Sequence, residues 1–287
     1  MQRNHLETED INWPNMAFLC GAQKAGTTYL ASLLSEHPEI SVSKPKETNF
    51  FVRRKFAQGF SWYRNCFESP AQVFLDCSPS YTMARIDEDN DKENAEDIYS
   101  GIPQRIFRFF PQSRFIYIVR DPVDRTYSAY WHSVRSGLET RSFADAIRGD
   151  NYYLRVSNYF EQIKKYLTFF KKDQIKVIFF EELKSNNQSI VFDCFEHLGV
   201  KDYRIGMSLG SRHETFKIKK PAEKLYRWYV KSGLSAPYWL KRLGKRYLTQ
   251  SVPPITPEAQ RYLREHFETP NNSLRSLLGH EIPFWSS

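Results

Sequence analysis

Two glycines and a lysine in the segment Gly21 to Thr28 (GAQKAGTT) are the first residues of this chain that could do chemistry. The apolar run before them, residues 16–20, predicts a buried strand, and the residues from Thr27 onward predict the start of a helix. At such a junction, loop N–H groups and the positive end of the helix dipole both favour an anion. Glycine is needed because a side chain would keep the anion away from the backbone. The segment therefore predicts a phosphate-binding loop.

The spacing of this loop departs from the nucleotide-triphosphatase pattern G-x-x-x-x-G-K-[ST]. Gly21 and Gly26 are correctly spaced, but the lysine, Lys24, lies inside the loop and Thr27 follows the second glycine. A lysine at this position approaches a bound anion from a different side. The loop alone leaves two interpretations open, an anion site or a surface turn with an incidental lysine.

Strands that alternate with helices across residues 16–199 predict a parallel sheet covered on both faces. The predicted strands are residues 16–20, 40–42, 72–77, 114–119 and 175–180. Parallel sheets bind ligands at the carboxyl ends of their strands. Four groups follow such ends: the Lys24 loop, Lys46 with Glu47, residues 76–81 and residues 120–128. We expect them to line one crevice.

After Gly199 the chain becomes more polar and basic. Residues 206–221 contain Lys217, Lys219 and Lys220, and we expect this segment to fold over a bound anion; a solvated loop is the alternative. Helical stretches follow at residues 224–231, 237–247 and 257–278. The sequence thus predicts a single domain over residues 1–287, with a core at about 14–200 and a basic loop and helical cap at about 201–287.

The composition favours a folded protein that binds an anion. Of 287 residues, 41% are hydrophobic and 16% aromatic, which suits a packed core and excludes a disordered chain. The net charge of +8 suits an anionic ligand, but equally nucleic acid or an acidic surface. The acidic stretch at residues 87–97 lacks the spacing of a calcium loop, so we expect a solvated loop there.

The cysteines and the N-terminus predict the compartment. Four cysteines, with no C-x-x-C pair and no zinc spacing, predict a reducing environment and no structural metal. The first residues show no signal peptide, and no apolar run approaches the ~18 residues of a membrane span. We expect a cytoplasmic protein; the sequence does not indicate its oligomeric state.

Several motifs resemble those of sulfotransferases that use 3′-phosphoadenosine 5′-phosphosulfate (PAPS). GAQKAGTTYL resembles their loop for the 5′-phosphosulfate, and FIYIVRDPVDRTYSAY resembles the segment that holds the 3′-phosphate. KPKETNFF resembles the loop that carries the catalytic Glu in the branch including heparan sulfate sulfotransferases. The stretch from PPITPEAQRYLREHF to LLGHEIPFW is similar to the tail of bacterial members. These motifs follow the family's order across almost the whole chain.

The resemblance implies a P-loop-like three-layer α/β fold with a helical C-terminal cap, and PAPS as the cofactor. The residues expected to contact the cofactor are Gly21, Lys24, Ala25, Gly26, Thr27, Thr28, Tyr29, Arg120, Ser128, Lys217 and Lys219. Glu47 would accept the acceptor's proton, Lys24 would neutralise charge on the leaving oxygen, and Lys46 would orient the acceptor. The residues expected to contact the acceptor, a small molecule or carbohydrate, are Lys46, Glu47, Tyr81, Trp131 and His132.

Each of these roles has a simpler alternative. Arg120 could form an ion pair with Asp121 or Asp124 instead of holding a phosphate, and Glu47 could be a surface group paired with lysines. His132 is the alternative base, because cytosolic animal sulfotransferases use a histidine. His37, before a proline at a helix end, is expected to be structural.

One residue departs from the family pattern. Cys77 stands where heparan sulfate enzymes carry a lysine that helps catalysis, which argues against a heparan-type acceptor. No membrane anchor of a Golgi enzyme is visible, which favours a cytosolic, bacterial-type enzyme. Two other functions stay open: a nucleotide kinase, and a nucleic-acid-binding protein that would use the basic clusters at residues 53–55 and 241–246.

Overall fold

The structure is a computed structural model, and it describes residues 13–68, 70–85, 97–148, 152–206, 216–218, 249–283 and 285. Its centre is a sheet of five parallel strands in the order β2-β3-β1-β4-β5. The strands are β1 (Asn15–Gly21), β2 (Ile40–Val42), β3 (Val73–Asp76), β4 (Arg114–Val119) and β5 (Ile175–Phe179). The sequence predicts all five to within one residue at either end, and the predicted α/β fold with a parallel sheet is confirmed.

Helices connect the strands and flank the sheet. They are α1 (Thr27–Leu34), α2 (Arg53–Phe56), α3 (Gly59–Arg64), α4 (Ile102–Phe109), α5 (Pro122–Arg135), α6 (Phe143–Ala146), α7 (Tyr152–Ser157), α8 (Tyr159–Leu167), α9 (Phe180–Ser185), α10 (Asn187–Leu198) and α11 (Pro257–Leu278). The sequence analysis did not predict α2, α6, α7 and α9. These helices have four to six residues, too few to show a helical period.

The interior strand β4 shows how the sheet is buried on both faces. Five of its six residues are buried, as its continuous apolar sequence predicts. On one face, the ring of Phe115 packs 5.0 Å from that of Tyr166 in α8. On the other face, Ile118 lies beneath the loop between β1 and α1, close to Gly26. The strand therefore contacts a helix on one side and the glycine loop on the other.

The strand order places a topological switch point between β1 and β4. From β1 the chain passes to β2 and β3 on one side, and then crosses to β4 and β5 on the other. Connections that leave in opposite directions open a crevice at the carboxyl ends of the two strands, where parallel sheets bind ligands. The glycine loop follows β1 and Arg120 follows β4, so both lie at this crevice.

The described C-terminal elements pack against helices that flank the sheet. Strands β6 (Phe216–Ile218) and β7 (Thr249–Ser251) form an antiparallel pair, and β6 lies beside α5. Helix α11 packs on α5 and α8, which confirms the predicted helical segment at residues 257–278. The predicted helical stretches at 224–231 and 237–247, and residues 87–96 of the acidic stretch, lie outside the described residues.

The last residue of the predicted acidic loop is an exception to its expected solvation. Asp97 is buried, and its carboxylate accepts the backbone N–H groups of Arg85 and Tyr99. This aspartate therefore fixes local backbone structure, and the expectation of a solvated side chain is wrong for it.

The buried face of α11 gives a test of how the cap supports the core. Phe267 is fully buried in a cluster with Val123 of α5 and Leu154 of α7. Because truncation leaves a cavity that these neighbours cannot fill, we expect Phe267→Ala to lower the free energy of unfolding by about 3–5 kcal/mol. Denaturant unfolding of the full chain measures this change.

The exposed face of the same helix supplies the matched control. Glu265 is exposed on α11, so Glu265→Ala should change the free energy of unfolding by no more than about 0.5 kcal/mol. Equal stabilities for the two variants would show that α11 does not contribute to the core as described.

Candidate active site

The loop between β1 and α1 has the geometry of an anion cradle. Gly26 precedes α1 with a left-handed φ of 97°, and a Cβ atom there would lie 2.7 Å from a ring carbon of Phe180. Gly26 has no side chain that could cap the helix, so the first N–H groups of α1 stay available to a ligand. The residues that supply these groups are the predicted Thr27, Thr28 and Tyr29.

The first glycine of the loop is fixed by close packing. Gly21 has a φ of 149°, and a Cβ atom there would lie 2.1 Å from the hydroxyl of Thr82. That hydroxyl donates to the carbonyl of Cys20 at 2.8 Å. Any other residue at position 21 would displace Thr82 and alter the path of the loop.

Lys24 lies inside the loop with a positive φ of 70°. Burial lowers the pKa of its ammonium group, and the neighbouring cations Arg135 and Arg120 lower it further. A cationic side chain that is partly desolvated beside two guanidinium groups is stabilised by a bound anion. The structure therefore brings Lys24 and Arg120 to one region, as the sequence predicts.

Lys46 joins the loop after β2 to the glycine loop. Its Nζ lies 3.4 Å from the hydroxyl of Thr27, 3.3 Å from that of Thr28 and 3.1 Å from Oε1 of Glu47. Half of the Glu47 side chain is exposed, so the carboxylate can be reached from solvent. The structure thus brings Lys46 and Glu47 to the mouth of the cradle, although Glu47 also forms the lysine ion pair named above as its simpler alternative.

His132 of α5 faces the same region. Burial lowers the pKa of its ring to about 4, and the nearby Lys24 and Arg135 add to this effect while Glu47 opposes it. Nδ1 of His132 lies 3.0 Å from Nη2 of Arg135. Because a guanidinium can only donate, Nδ1 accepts, and the neutral ring carries its hydrogen on Nε2. His132 therefore offers an N–H donor at neutral pH.

Arg120 directly follows β4 and is held from several directions. Its Nη2 lies 3.0 Å from Oδ2 of Asp124, and its guanidinium stands 5.2 Å from the ring centre of Phe180. Its carbonyl accepts the hydroxyl of Tyr159 at 2.8 Å. Asp121 caps α5 instead of pairing with Arg120. The Asp124 side chain is 63% exposed, and an ion pair in such a position is weak enough for a phosphate to replace it.

The other predicted residues of α5 differ in their burial. Ser128 is buried on the helix, eight residues after Arg120. Trp131 is half-buried, and its ring lies 6.1 Å from that of Tyr127 and 5.2 Å from that of Tyr130. Trp131 can therefore form an apolar wall beside His132.

The placement of Tyr81 does not favour its predicted contact with an acceptor. The side chain is only 1% exposed, and its hydroxyl donates to Asp76 at 2.7 Å. A short run of four polar and aromatic residues after a strand cannot reveal from sequence which side chain turns inward. The structure places Tyr81 in the core beneath the site.

Two further residues are also structural. His37 is buried, with one ring nitrogen near the carbonyl of Lys201 and the other accepting the N–H of Glu39, as the sequence predicts. Cys77 is fully buried, and burial raises the pKa of its thiol. A lysine at this position would have to be desolvated, so this chain cannot place an ammonium there in the same way.

The basic segment after Gly199 is described only in part. Lys217 belongs to β6, which lies beside α5, whereas Lys219 and Lys220 lie outside the described residues. Contact of this segment with a cofactor stays a prediction.

Sequence reasoning missed two side chains of the site. Arg135 lies one turn after His132, and this spacing could have identified it as a neighbour. Gln23 in the glycine loop accepts the hydroxyl of Tyr152 at 2.7 Å, a contact between distant segments that no local pattern shows.

Within the described part of the chain, no three His, Cys, Asp or Glu side chains cluster as metal ligands would. Among the same residues, no helix is both long enough and apolar enough to cross a bilayer. All four cysteines are buried and outside any disulfide.

Comparison with known proteins agrees with this geometry. The bifunctional heparan sulfate N-deacetylase/N-sulfotransferase 3 of Mus musculus is 26% identical to this chain, in an alignment that covers 92% of this chain and 30% of the relative. The bifunctional heparan sulfate N-deacetylase/N-sulfotransferase 2 of Bos taurus is 23% identical, with 93% of this chain and 30% of the relative covered. The chain thus spans about a third of the length of these relatives. A sulfotransferase structure from Alicyclobacillus acidocaldarius shares the fold, with a TM-score of 0.65 and 24% identity over 96% of this chain and 99% of that one. The family model described as "Sulfotransferase domain" matches residues 14–221, more than half of the chain. The chain belongs to the sulfotransferase domain family.

Proposed function

We propose that this protein transfers the sulfuryl group of PAPS to a hydroxyl or amine of a small molecule or carbohydrate by in-line displacement. One observation carries the proposal: two cationic anion sites, the Lys24 loop and Arg120, follow adjacent strands at the switch point of the sheet. PAPS has a phosphosulfate at one end and a separate phosphate at the other, so it needs two such sites. The fit of the glycine cradle supports the same donor.

The residues present fit this cofactor. The loop N–H groups and the start of α1 would hold the 5′-phosphosulfate, and Arg120 with Ser128 would hold the 3′-phosphate. No Cβ atom could be accommodated at Gly21 or Gly26 without a shift of Thr82 or Phe180, so the cradle is built from bare backbone. When bound, PAPS supplies the sulfuryl group, and the protein supplies position and charge.

Three side chains of the protein then take part in the proposed reaction: Glu47, Lys46 and Lys24. Glu47 accepts the proton of the acceptor hydroxyl or amine, and its hydrogen bond with Lys46 at 3.1 Å fixes the direction of the carboxylate. Lys24 neutralises charge on the bridging oxygen as adenosine 3′,5′-bisphosphate leaves. Such a reaction needs in-line geometry and electrostatic stabilisation more than covalent catalysis.

The geometry supports Glu47 over His132 as the base. Nδ1 of His132 accepts from Arg135, so the neutral ring carries its hydrogen on Nε2 and offers a donor instead of a free lone pair. Its N–H can instead bind an oxygen of the acceptor or of the sulfuryl group. Glu47 is exposed to solvent and cannot donate once ionised, which is the state a base requires.

The acceptor is proposed only by its chemical class. The named relatives are heparan sulfate N-sulfotransferases, but the buried Cys77 replaces a lysine expected in that branch. We therefore propose a hydroxyl or amine acceptor without a commitment to heparan sulfate. A cytoplasmic location and the arrangement of residues 1–287 as one domain stay predictions from the sequence.

A ligand-binding experiment distinguishes this function from the alternatives. Adenosine 3′,5′-bisphosphate without magnesium should raise the melting temperature of the full chain. Stabilisation by ATP with magnesium alone would indicate a kinase, and stabilisation by duplex DNA alone would indicate a nucleic-acid-binding protein. Labelled PAPS with a panel of sugars, phenols, alcohols and amines then identifies the acceptor; hydrolysis without any acceptor dependence would contradict the proposal.

Lys24 is expected to act in the chemical step. Lys24→Ala removes the charge that offsets the developing oxyanion, so turnover of PAPS should fall ~10²–10³-fold. Affinity for adenosine 3′,5′-bisphosphate, measured by calorimetry, should fall much less because Arg120 is intact. Lys44→Ala is the control, since Lys44 is exposed and pairs with Glu68 at 2.6 Å; near-normal turnover in the Lys24 variant would contradict the role.

Arg120 is expected to recognise the 3′-phosphate. Loss of a charge-assisted pair costs about 1.5–3 kcal/mol, so Arg120→Ala should weaken adenosine 3′,5′-bisphosphate about 10- to 150-fold. Adenosine 5′-phosphosulfate lacks the 3′ group and should bind nearly as well as to the wild type.

The control for this variant removes a guanidinium elsewhere. Arg108 is exposed on α4, so Arg108→Ala changes the net charge equally without touching the crevice. Equal losses for both nucleotides in Arg120→Ala, or an equal loss in Arg108→Ala, would exclude a specific contact.

Glu47 is expected to be the proton acceptor. Glu47→Gln keeps the size and the hydrogen-bonding capacity of the side chain but removes its basicity, so kcat should fall ~10²–10⁴-fold. Affinity for adenosine 3′,5′-bisphosphate should be unchanged. Glu68→Gln, at an exposed position, is the control. A mild effect of Glu47→Gln with a severe effect of His132→Ala would assign the base to His132 instead.

A further inference from the structure

Asp76 is a buried carboxylate with no part in the chemistry proposed above. It lies at the end of β3, paired in register with Phe18 of β1, and it has no exposed surface. None of the ion pairs among the described residues includes it. A buried charge without a cation is costly, so its hydrogen bonds must compensate for the lost water.

Four hydroxyl groups compensate for that loss. Asp76 accepts hydrogen bonds from Ser78 at 2.6 Å, Thr48 at 2.7 Å, Tyr81 at 2.7 Å and Tyr63 at 2.9 Å. A hydroxyl has a single hydrogen, so each group that donates to Asp76 presents only lone pairs to its other neighbours. The carboxylate therefore sets the direction of every hydroxyl around it.

Three of these hydroxyls accept hydrogen bonds from three consecutive backbone N–H groups. Ser78 accepts from Asn49 at 3.0 Å, Thr48 from Phe50 at 3.1 Å and Tyr81 from Phe51 at 3.3 Å. These residues begin two positions after Glu47. Tyr63 is different, because none of the described backbone N–H groups is bonded to its hydroxyl.

The backbone held in this way includes one residue in the left-handed region. Asn49 has a φ of 53°, which asparagine tolerates better than most residues other than glycine. Its side-chain amide donates to the carbonyl of Glu47 at 3.3 Å, and its side-chain oxygen accepts from Ser80 at 2.5 Å. The turn after Glu47 therefore depends on contacts with the segment after β3.

We propose that Asp76 is a positioning residue that orients three hydroxyls so that they hold the backbone of residues 49–51 and thereby aim Glu47 at the reacting centre. The proposal rests on the role of Glu47 given above. Because Asp76 is in register with β1, which leads into the glycine loop, the network fixes the Glu47 loop relative to the cofactor cradle.

The test compares hydroxyls that reach the loop with one that does not. Ser78→Ala and Tyr81→Phe each remove an acceptor for a loop N–H group, whereas Tyr63→Phe removes only a donor to Asp76. We expect kcat to fall ~10–10²-fold in the first two variants, since a misplacement of 1 Å can cost that much. Tyr63→Phe should keep the wild-type kcat, and all three should bind adenosine 3′,5′-bisphosphate as the wild type does.

Amide hydrogen exchange of the full chain provides a readout independent of activity. The N–H groups of Asn49 and Phe51 should exchange faster in Ser78→Ala and Tyr81→Phe respectively, but not in Tyr63→Phe. Equal effects of all three variants on kcat, or unchanged exchange in the first two, would show that the network is only structural. If the wild type transfers no sulfuryl group, the proposed function fails, and the exchange measurement still decides whether the hydroxyls bonded to Asp76 hold the backbone of residues 49–51.

Discussion

Positive charge is concentrated at the carboxyl edge of the sheet, and this concentration constrains the whole site. Lys24, Arg120 and Arg135 lie close enough for each guanidinium to lower the pKa of the lysine. Mutual repulsion of this kind raises the energy of the free site, and an anion with charge at both ends relieves it. The fold provides that relief through bare backbone at Gly21 and Gly26, which lets negative charge approach all three cations.

The loop that carries Lys46 and Glu47 is held in place by neutral hydroxyl groups instead. The loop with Lys46 and Glu47 follows the edge strand β2, and Lys46 reaches the hydroxyls at the start of α1. Its backbone is held by the hydroxyls around Asp76. Hydroxyl networks of this type are weak singly, but they define one geometry when every donor has an acceptor. Under the proposed function, the cations would bind the donor molecule, whereas the hydroxyls hold the loop that carries Glu47.

Much of this arrangement could be predicted from the sequence. The apolar runs predicted all five strands of the central sheet, because strands buried on both faces have a continuous apolar pattern. Parallel order then implied that the Lys24 loop, Lys46, Glu47 and Arg120 would meet. The inward turn of Tyr81 could not be predicted, since a short run of polar and aromatic residues does not show which side chain reaches the buried Asp76. The spacing of Arg135 indicates that it neighbours His132, but its approach to Lys24 brings together segments far apart in the chain.

Helix α5 begins just after Arg120 and carries Ser128, His132 and Arg135 along its length. At a rise of about 1.5 Å per residue, the step of seven positions from Ser128 to Arg135 covers roughly 10 Å. The helix therefore sets the separation between Ser128, which the proposed function places at the 3′-phosphate, and the side chains of His132 and Arg135. Because one inserted residue would turn everything after it by about 100°, the length of α5 and the directions of its later side chains are fixed together.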